Sequence, residues 1–115
     1  MGATHTYRYI SVPNKPTAKC ASGVFTTNEA HTVNCGFRPK YIGLVWTNTA
    51  NTYNNFAMYD ANIDANKVIM YNGSKYVSDL PNTSQYNINS VTNTGFTCGK
   101  MGTYKFLYWF AATDE

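Results

Sequence analysis

The sequence predicts an all-β fold, an antiparallel β-sandwich or jelly-roll-like barrel with about seven or eight short strands. Three observations support this prediction. Runs of β-branched and aromatic residues alternate with turn clusters along the whole chain. Apolar residues nowhere recur at the i, i+3, i+4, i+7 spacing for the ten or so residues that a helix requires. The strand candidates lie roughly 8–12 residues apart, a spacing typical of sandwiches and barrels.

The first half of the chain contains three clear strand candidates, at residues 6–12, 31–37 and 40–47, and a shorter one at residues 24–27. The run at 40–47 is rich in β-branched and aromatic residues on both faces, as expected of a central strand that is covered on each side. Gly43 in its middle predicts a bulge or a close approach of another backbone.

The second half contains strand candidates at residues 56–64, 67–71, 75–77, 85–91 and 103–112. Residues 60–64 are interpreted as the solvated, polar end of the first of these strands. Asn72 and Gly73 separate the second from the third, and because an Asn-Gly pair tolerates positive φ at adjacent positions, it predicts a β-hairpin.

The last strand candidate is apolar on both faces. One face carries Tyr104, Phe106, Tyr108 and Phe110, and the other carries Lys105, Leu107, Trp109 and Ala111. A domain of 115 residues with 16% aromatic residues cannot easily cover them all. We therefore expect part of this surface, including Trp109, to be shared with a partner subunit or ligand, and self-association is the simplest explanation.

The composition excludes several classes of protein. Charged residues make up 13% of the chain, about half the usual share, while 14 Asn and 15 Thr supply most of the polarity. The net charge of +3 is scattered, without the basic clusters that nucleic-acid binding requires. The longest apolar run, residues 106–112, is too short to cross a bilayer, and the first residues lack the basic region and apolar stretch of a signal peptide. We expect one domain over residues 1–115, with neither nucleic acid nor membrane as partner.

The residues offer little for catalysis. Two His, six acidic residues and Cys20, Cys35 and Cys98 form no nucleophile elbow, phosphate loop or zinc signature. His31 and Cys35 share a strand face, but four residues of strand separate their Cα atoms by about 13 Å. The sequence thus predicts a protein that is not an enzyme, with reduced thiols and no cofactor.

One segment has a spacing that is used by calcium sites. Asp60, Asn62 and Asp64 place oxygen ligands at alternate positions, which can surround a calcium ion when the segment is a loop. The EF-hand pattern fails, since Ala65 stands where glycine is needed and Tyr71 where the closing carboxylate should be. These three residues are a weak candidate metal site beside the simpler interpretation as a solvated strand end.

A sugar-binding face is an alternative use of the aromatic residues. Flat rings stack on pyranose rings, and amides hydrogen-bond the hydroxyls. Trp46, Tyr53 and Tyr59, with Asn54 and Asn55, are the candidates for such a platform. Packing in the core or in a subunit interface is the competing interpretation for each of them, because alternating aromatic residues in strands mostly pack.

Four short phrases occur in order along residues 23–112: GFRPKYI at 36–42, MYDA at 58–61, TNTGFT at 92–97 and YWFA at 108–111. Together they resemble small structural proteins of tailed bacteriophages and prophages. The resemblance implies a small β-sandwich found on capsid surfaces, head or tail fibres and baseplates. It carries no catalytic motif.

The leading hypothesis from this resemblance is a virion protein, made in the cytoplasm of the bacterial host, that decorates the capsid or forms part of a head or tail fibre. It would act as a symmetric homo-oligomer, with a trimer favoured, and contact major capsid or tail proteins. Residues 1–6 would form an anchor arm or a flexible segment. The alternative hypothesis is a lectin-like, carbohydrate-binding module that recognises host-surface glycans.

Overall fold

A computed structural model describes residues 18–47, 55–100 and 106–114. Within them lie nine strands and one helical turn: β1 Lys19–Phe25, β2 His31–Asn34, β3 Tyr41–Trp46, β4 Asn55–Asp60, α1 Ala61–Asp64, β5 Lys67–Asn72, β6 Lys75–Asp79, β7 Ile88–Thr92, β8 Gly95–Cys98 and β9 Leu107–Thr113. The predicted all-β class is confirmed, with more strands than expected. The strand predicted at residues 6–12 and the arm at 1–6 lie outside the described residues.

The strands form two antiparallel sheets. The larger has six strands in the order β1-β9-β3-β4-β5-β6, and the smaller has three in the order β2-β8-β7. Strands β3 to β6 follow one another as a meander, while β9 inserts between β1 and β3. The middle of the larger sheet is therefore built from β3 and β4, which are adjacent in sequence. The strand on the other side of β3 is β9, the last strand in sequence.

The core lies between the sheets. On the six-stranded sheet Leu44 pairs with Trp109 on one side and with Ala57 on the other. The three-stranded sheet supplies Val33, Ile88, Phe96 and Cys98 to the same cluster of buried residues. The rings of Phe96 and Trp109 meet edge to face, with centroids 5.9 Å apart. One layer of side chains thus joins the two sheets.

The predicted hairpin is confirmed. Lys67–Asn72 and Lys75–Asp79 pair with Tyr71 opposite Lys75, and Gly73 adopts the positive φ of +79° that the turn requires. The Asn72 amide donates to the Ser74 carbonyl oxygen at 3.1 Å. Local turn chemistry therefore fixes this part of the larger sheet.

The interpretation of residues 60–64 as a strand end is wrong, because the chain turns there into α1. Asp60 is the N-cap of this turn, and its Oδ1 accepts a hydrogen bond from the Asn62 amide at 2.9 Å. An aspartate that satisfies the first free amide groups favours a helical turn over a continued strand. Among the described residues no helix is long or apolar enough to span a bilayer.

Two expectations about strands near glycines also change. The strand predicted over residues 31–37 ends at Asn34, since Gly36 has a φ of +85° and turns the chain. Gly43 causes no bulge: the register of β3 runs without a break from Tyr41 to Trp46 against both β4 and β9. Nor does another backbone approach Gly43, because a Cβ built there meets no atom within 4 Å.

Candidate interaction surface

The six-stranded sheet has a second face, directed away from the core, and this face is apolar. Because side chains alternate along a strand, the pairing register places its residues in rows across the sheet. One row contains Val24, Tyr108, Val45, Phe56 and Tyr71 and ends at Lys75 on β6. The next begins at Ser22 on β1 and contains Phe110, Gly43, Met58, Ile69 and Val77. We call the ten residues other than Lys75 and Ser22 the outer face.

Most of the large hydrophobic side chains that are exposed among the described residues belong to the outer face. Nine large hydrophobic side chains are exposed, and seven of them lie on it: Val24, Val45, Met58, Ile69, Val77, Tyr108 and Phe110. Their exposed fractions range from 39% to 61%. With roughly 150–250 Å² for a large side chain, they present on the order of 600 Å², the upper end of what a monomer usually exposes in one patch.

Charged groups lie at the periphery of the outer face. Lys67 and Asp79 form an ion pair where β5 and β6 begin and end, and Lys75 lies on the edge strand β6. The hydrogen bond with Asp79 raises the pKa of Lys67. The central strands β3, β4 and β9 contribute only uncharged residues to the two rows of the face. An apolar centre with a charged rim is the usual anatomy of a protein interface.

A polar cluster closes one end of the outer face. The Tyr41 hydroxyl donates to Asp114 Oδ2 at 3.3 Å and accepts from Asn62 Nδ2 at 2.6 Å, and Lys40 Nζ lies 3.2 Å from Asp114 Oδ1. Burial and the neighbouring Asp114 carboxylate raise the pKa of Tyr41, while the hydrogen bond from Lys40 lowers that of Asp114. The cluster ties α1 to the end of β9.

The solvent-facing side of the three-stranded sheet has a different chemistry. Thr32 pairs with Thr97, and Thr97 pairs with Ser90. The hydroxyl groups of Thr97 and Ser90 are hydrogen-bonded to each other. Such hydroxyl-bearing side chains are compatible with water, whereas the outer face of the larger sheet is not. The two sides of the sandwich are therefore chemically distinct.

The structure separates the aromatic residues predicted in the last strand. Tyr108 and Phe110 are exposed on the outer face, with exposed fractions of 43% and 39%. Trp109 points to the other side, against Phe96 in the core. Phe106 is half-buried and its ring lies 6.1 Å from that of Tyr108, while Tyr104 lies outside the described residues.

The residues proposed as a sugar platform do not form one on the surface. Trp46 is 2% exposed and Tyr59 is 3% exposed, and both belong to the core cluster. The Tyr59 hydroxyl donates to the Ala65 carbonyl oxygen at 3.5 Å, and burial raises its pKa. Both rings are therefore inaccessible to a pyranose ring, and Tyr53 lies outside the described residues.

The side chains of the candidate calcium ligands form hydrogen bonds within the protein instead. Asp60 caps α1, Asp64 Oδ1 accepts from the Asn66 amide at 2.9 Å, and the Asn62 side chain binds Tyr41. On a helical turn, residues two apart point in different directions. In the described ranges no three His, Cys, Asp or Glu side chains come together as a metal site would require.

The three cysteines occupy different environments, which predicts different reactivity. Cys20 is exposed on β1, Cys35 is half-buried, and Cys98 is buried between the sheets. Burial raises the pKa of the Cys98 thiol to about 11, so that it is protonated at pH 8. We expect iodoacetamide at pH 8 to alkylate Cys20 readily and to leave Cys98 unmodified, as measured by peptide mass spectrometry. Equal labelling of both under native conditions would contradict the packing, and equal labelling in denaturant is the control.

Sequence reasoning missed the members of the outer face on strands β4 to β6. Met58, Ile69 and Val77 were placed in strands but not singled out as surface residues. The available signal was that β4 and β5 are apolar at successive positions, as in Val68-Ile69-Met70, so that each strand has a second apolar face. That pattern does not say which of the two faces the partner sheet covers.

Comparisons with protein-family models, with curated proteins and with solved structures gave no match for this chain. The resemblance to phage structural proteins therefore depends on the four sequence phrases alone.

Proposed function

We propose that this protein is a non-enzymatic structural subunit that assembles through the outer face of its six-stranded sheet, as a component of a tailed-phage virion. The outer face is the observation that carries the proposal. An exposed apolar patch of this size, with its charges at the rim, marks a protein interaction surface. The other side of the sandwich, with its hydroxyl groups, would face solvent in the assembly.

The virion part of the proposal is supported by where the resembling phrases lie. GFRPKYI runs into β3, MYDA runs through the end of β4 into α1, and YWFA lies in β9. These strands are neighbours at the centre of the larger sheet. Three of the four phrases thus lie on the strands that build the interaction surface, while the fourth, TNTGFT, spans the end of β7 and most of β8 in the smaller sheet.

The assembly is tested by placing a charge in the outer face. Ile69→Glu places a carboxylate beside Met58, its cross-strand neighbour, whereas Ile63→Glu makes the same change on α1, away from the face, where Ile63 is 83% exposed. Burying an unpaired carboxylate in an interface costs several kcal/mol, so we expect Ile69→Glu to weaken association about a hundredfold or more. Ile63→Glu should leave it unchanged. Sedimentation equilibrium over a wide concentration range measures both.

Two results would contradict the proposal. The first is a wild-type protein that stays monomeric at all concentrations and binds no other protein of its particle. The second is an Ile69→Glu variant that assembles like Ile63→Glu. Either result would show that the outer face is not the assembly surface. Separately, mass spectrometry of gradient-purified particles from the native host tests the virion assignment. Absence of the protein from those particles would reject that assignment.

A further inference from the structure

The outer face has a depression at its centre. Gly43 lies on β3 directly between Phe110 of β9 and Met58 of β4, and a Cβ built on it meets no atom within 4 Å. Two large side chains therefore flank an open site one side chain wide. Among the outer-face residues on the four inner strands β9, β3, β4 and β5, Met58 is the most exposed, with an exposed fraction of 50%. A hole and a projecting side chain lie next to each other.

Symmetry relates this hole to this projection. In the order β1-β9-β3-β4-β5-β6 the centre of the sheet lies between β3 and β4. A two-fold axis that runs close to the direction of these strands, in the plane between two stacked outer faces, places β3 of one copy over β4 of the other. Because Gly43 and Met58 are direct cross-strand partners, the same operation places Met58 of each copy over Gly43 of the other.

We infer that the outer face pairs with the same face of a second copy across this two-fold axis, each Met58 seated over the opposite Gly43. The inference rests on the proposed function and names its partner and geometry. Stacked sheets pack about 10 Å apart and cross at about 30°, so the contacts nearest the axis are the best determined.

Area and charge both favour a second copy as the occupant. The axis superposes all six strands, which brings the exposed surface of the seven large side chains, together with Phe56 and Tyr71, into one contact. That approaches the ~800 Å² that each partner contributes to a standard interface. Uncharged residues meet at the centre, and the Lys67–Asp79 ion pair stays at the rim. A contact of this type is isologous and closes as a dimer, in place of the trimer expected from the sequence.

An exchange of hole and projection tests the inference. Gly43→Met fills the depression, and Met58→Gly removes the side chain that occupies it. We expect each single variant to raise the dimer dissociation constant at least about tenfold, and the double variant, which restores one methionine over one glycine, to return to within about threefold of wild type. Thr32→Met adds the same side chain to the opposite side of the sandwich and should have no effect.

Sedimentation equilibrium gives the stoichiometry and dissociation constants, and thermal melting by circular dichroism verifies that each variant is folded. A trimer or higher oligomer, or folded single variants with dissociation constants like wild type, would overturn the two-fold pairing. If Ile69→Glu still dissociates the protein in that case, the outer face remains the assembly surface with another geometry. If Ile69→Glu also has no effect, the proposed function fails with it.

Discussion

Gly95→Ala is expected to destabilise the protein by at least about 3–4 kcal/mol, a large part of the 5–15 kcal/mol that stabilises a typical domain. Gly95 is buried in β8 and pairs with Asn34 of β2 and Thr92 of β7. A Cβ built there overlaps the Val33 carbonyl oxygen and lies 2.8 Å from the Val33 carbonyl carbon. Both are backbone atoms, so the clash can be relieved only by separating β2 from β8.

The matched control for this change is Gly43→Ala. Gly43 is also a strand glycine, but a Cβ there has open space, and alanine restricts the unfolded chain more than glycine does. At protein concentrations below the dimer dissociation constant, we expect this control to leave the free energy of unfolding unchanged or to raise it by up to about 1 kcal/mol. Urea denaturation of both variants, followed by tryptophan fluorescence, measures the difference. Similar stabilities would show that β2 and β8 do not approach each other as closely as described.

The fold class could be predicted because its signals are local. Alternation and turn residues are properties of neighbouring positions, and Asn72-Gly73 predicted the hairpin of β5 and β6, in which Gly73 alone of the pair has a positive φ. The turn α1 was missed although its signal is also local. Its signal is the capping side chain of Asp60, which an alternating polar pattern conceals.

The candidate site could not be predicted in the same way, because it depends on which sheet face is covered. Strand β3 is apolar on both sides, and only the packing of the three-stranded sheet decides that Leu44 and Trp46 are core while Val45 is exposed. The insertion of β9 between β1 and β3 is a pairing between distant parts of the chain. Tyr108 and Phe110 were therefore correctly grouped on one face, whereas Trp46 and Tyr59 were considered for a surface on which they do not lie.

The pairing of the two sheets makes Phe96→Ala the second substitution with a large expected effect. Phe96 is 1% exposed, lies on the central strand β8 of the smaller sheet, and meets the Trp109 ring of the larger one. Truncation of a buried phenylalanine removes its transfer free energy and leaves a cavity, which together cost about 3–5 kcal/mol. We expect Phe96→Ala to lower the midpoint of urea denaturation by a corresponding amount, and Phe96→Leu, which retains most of the volume, to lower it much less.

Substitutions on the two apolar faces of the larger sheet should have different effects: one on stability, the other on association. Loss of the Phe96 contact loosens the cover over the inner face and should expose Leu44 and Leu107 to solvent, which binding of a hydrophobic dye detects. A change on the outer face, such as Ile69→Glu, should alter association and leave the unfolding midpoint of the monomer near that of wild type. If Phe96→Ala kept wild-type stability and dye binding, the three-stranded sheet would not be the layer that covers the inner face of the larger sheet. The assignment of the outer face as the exposed one would then be contradicted.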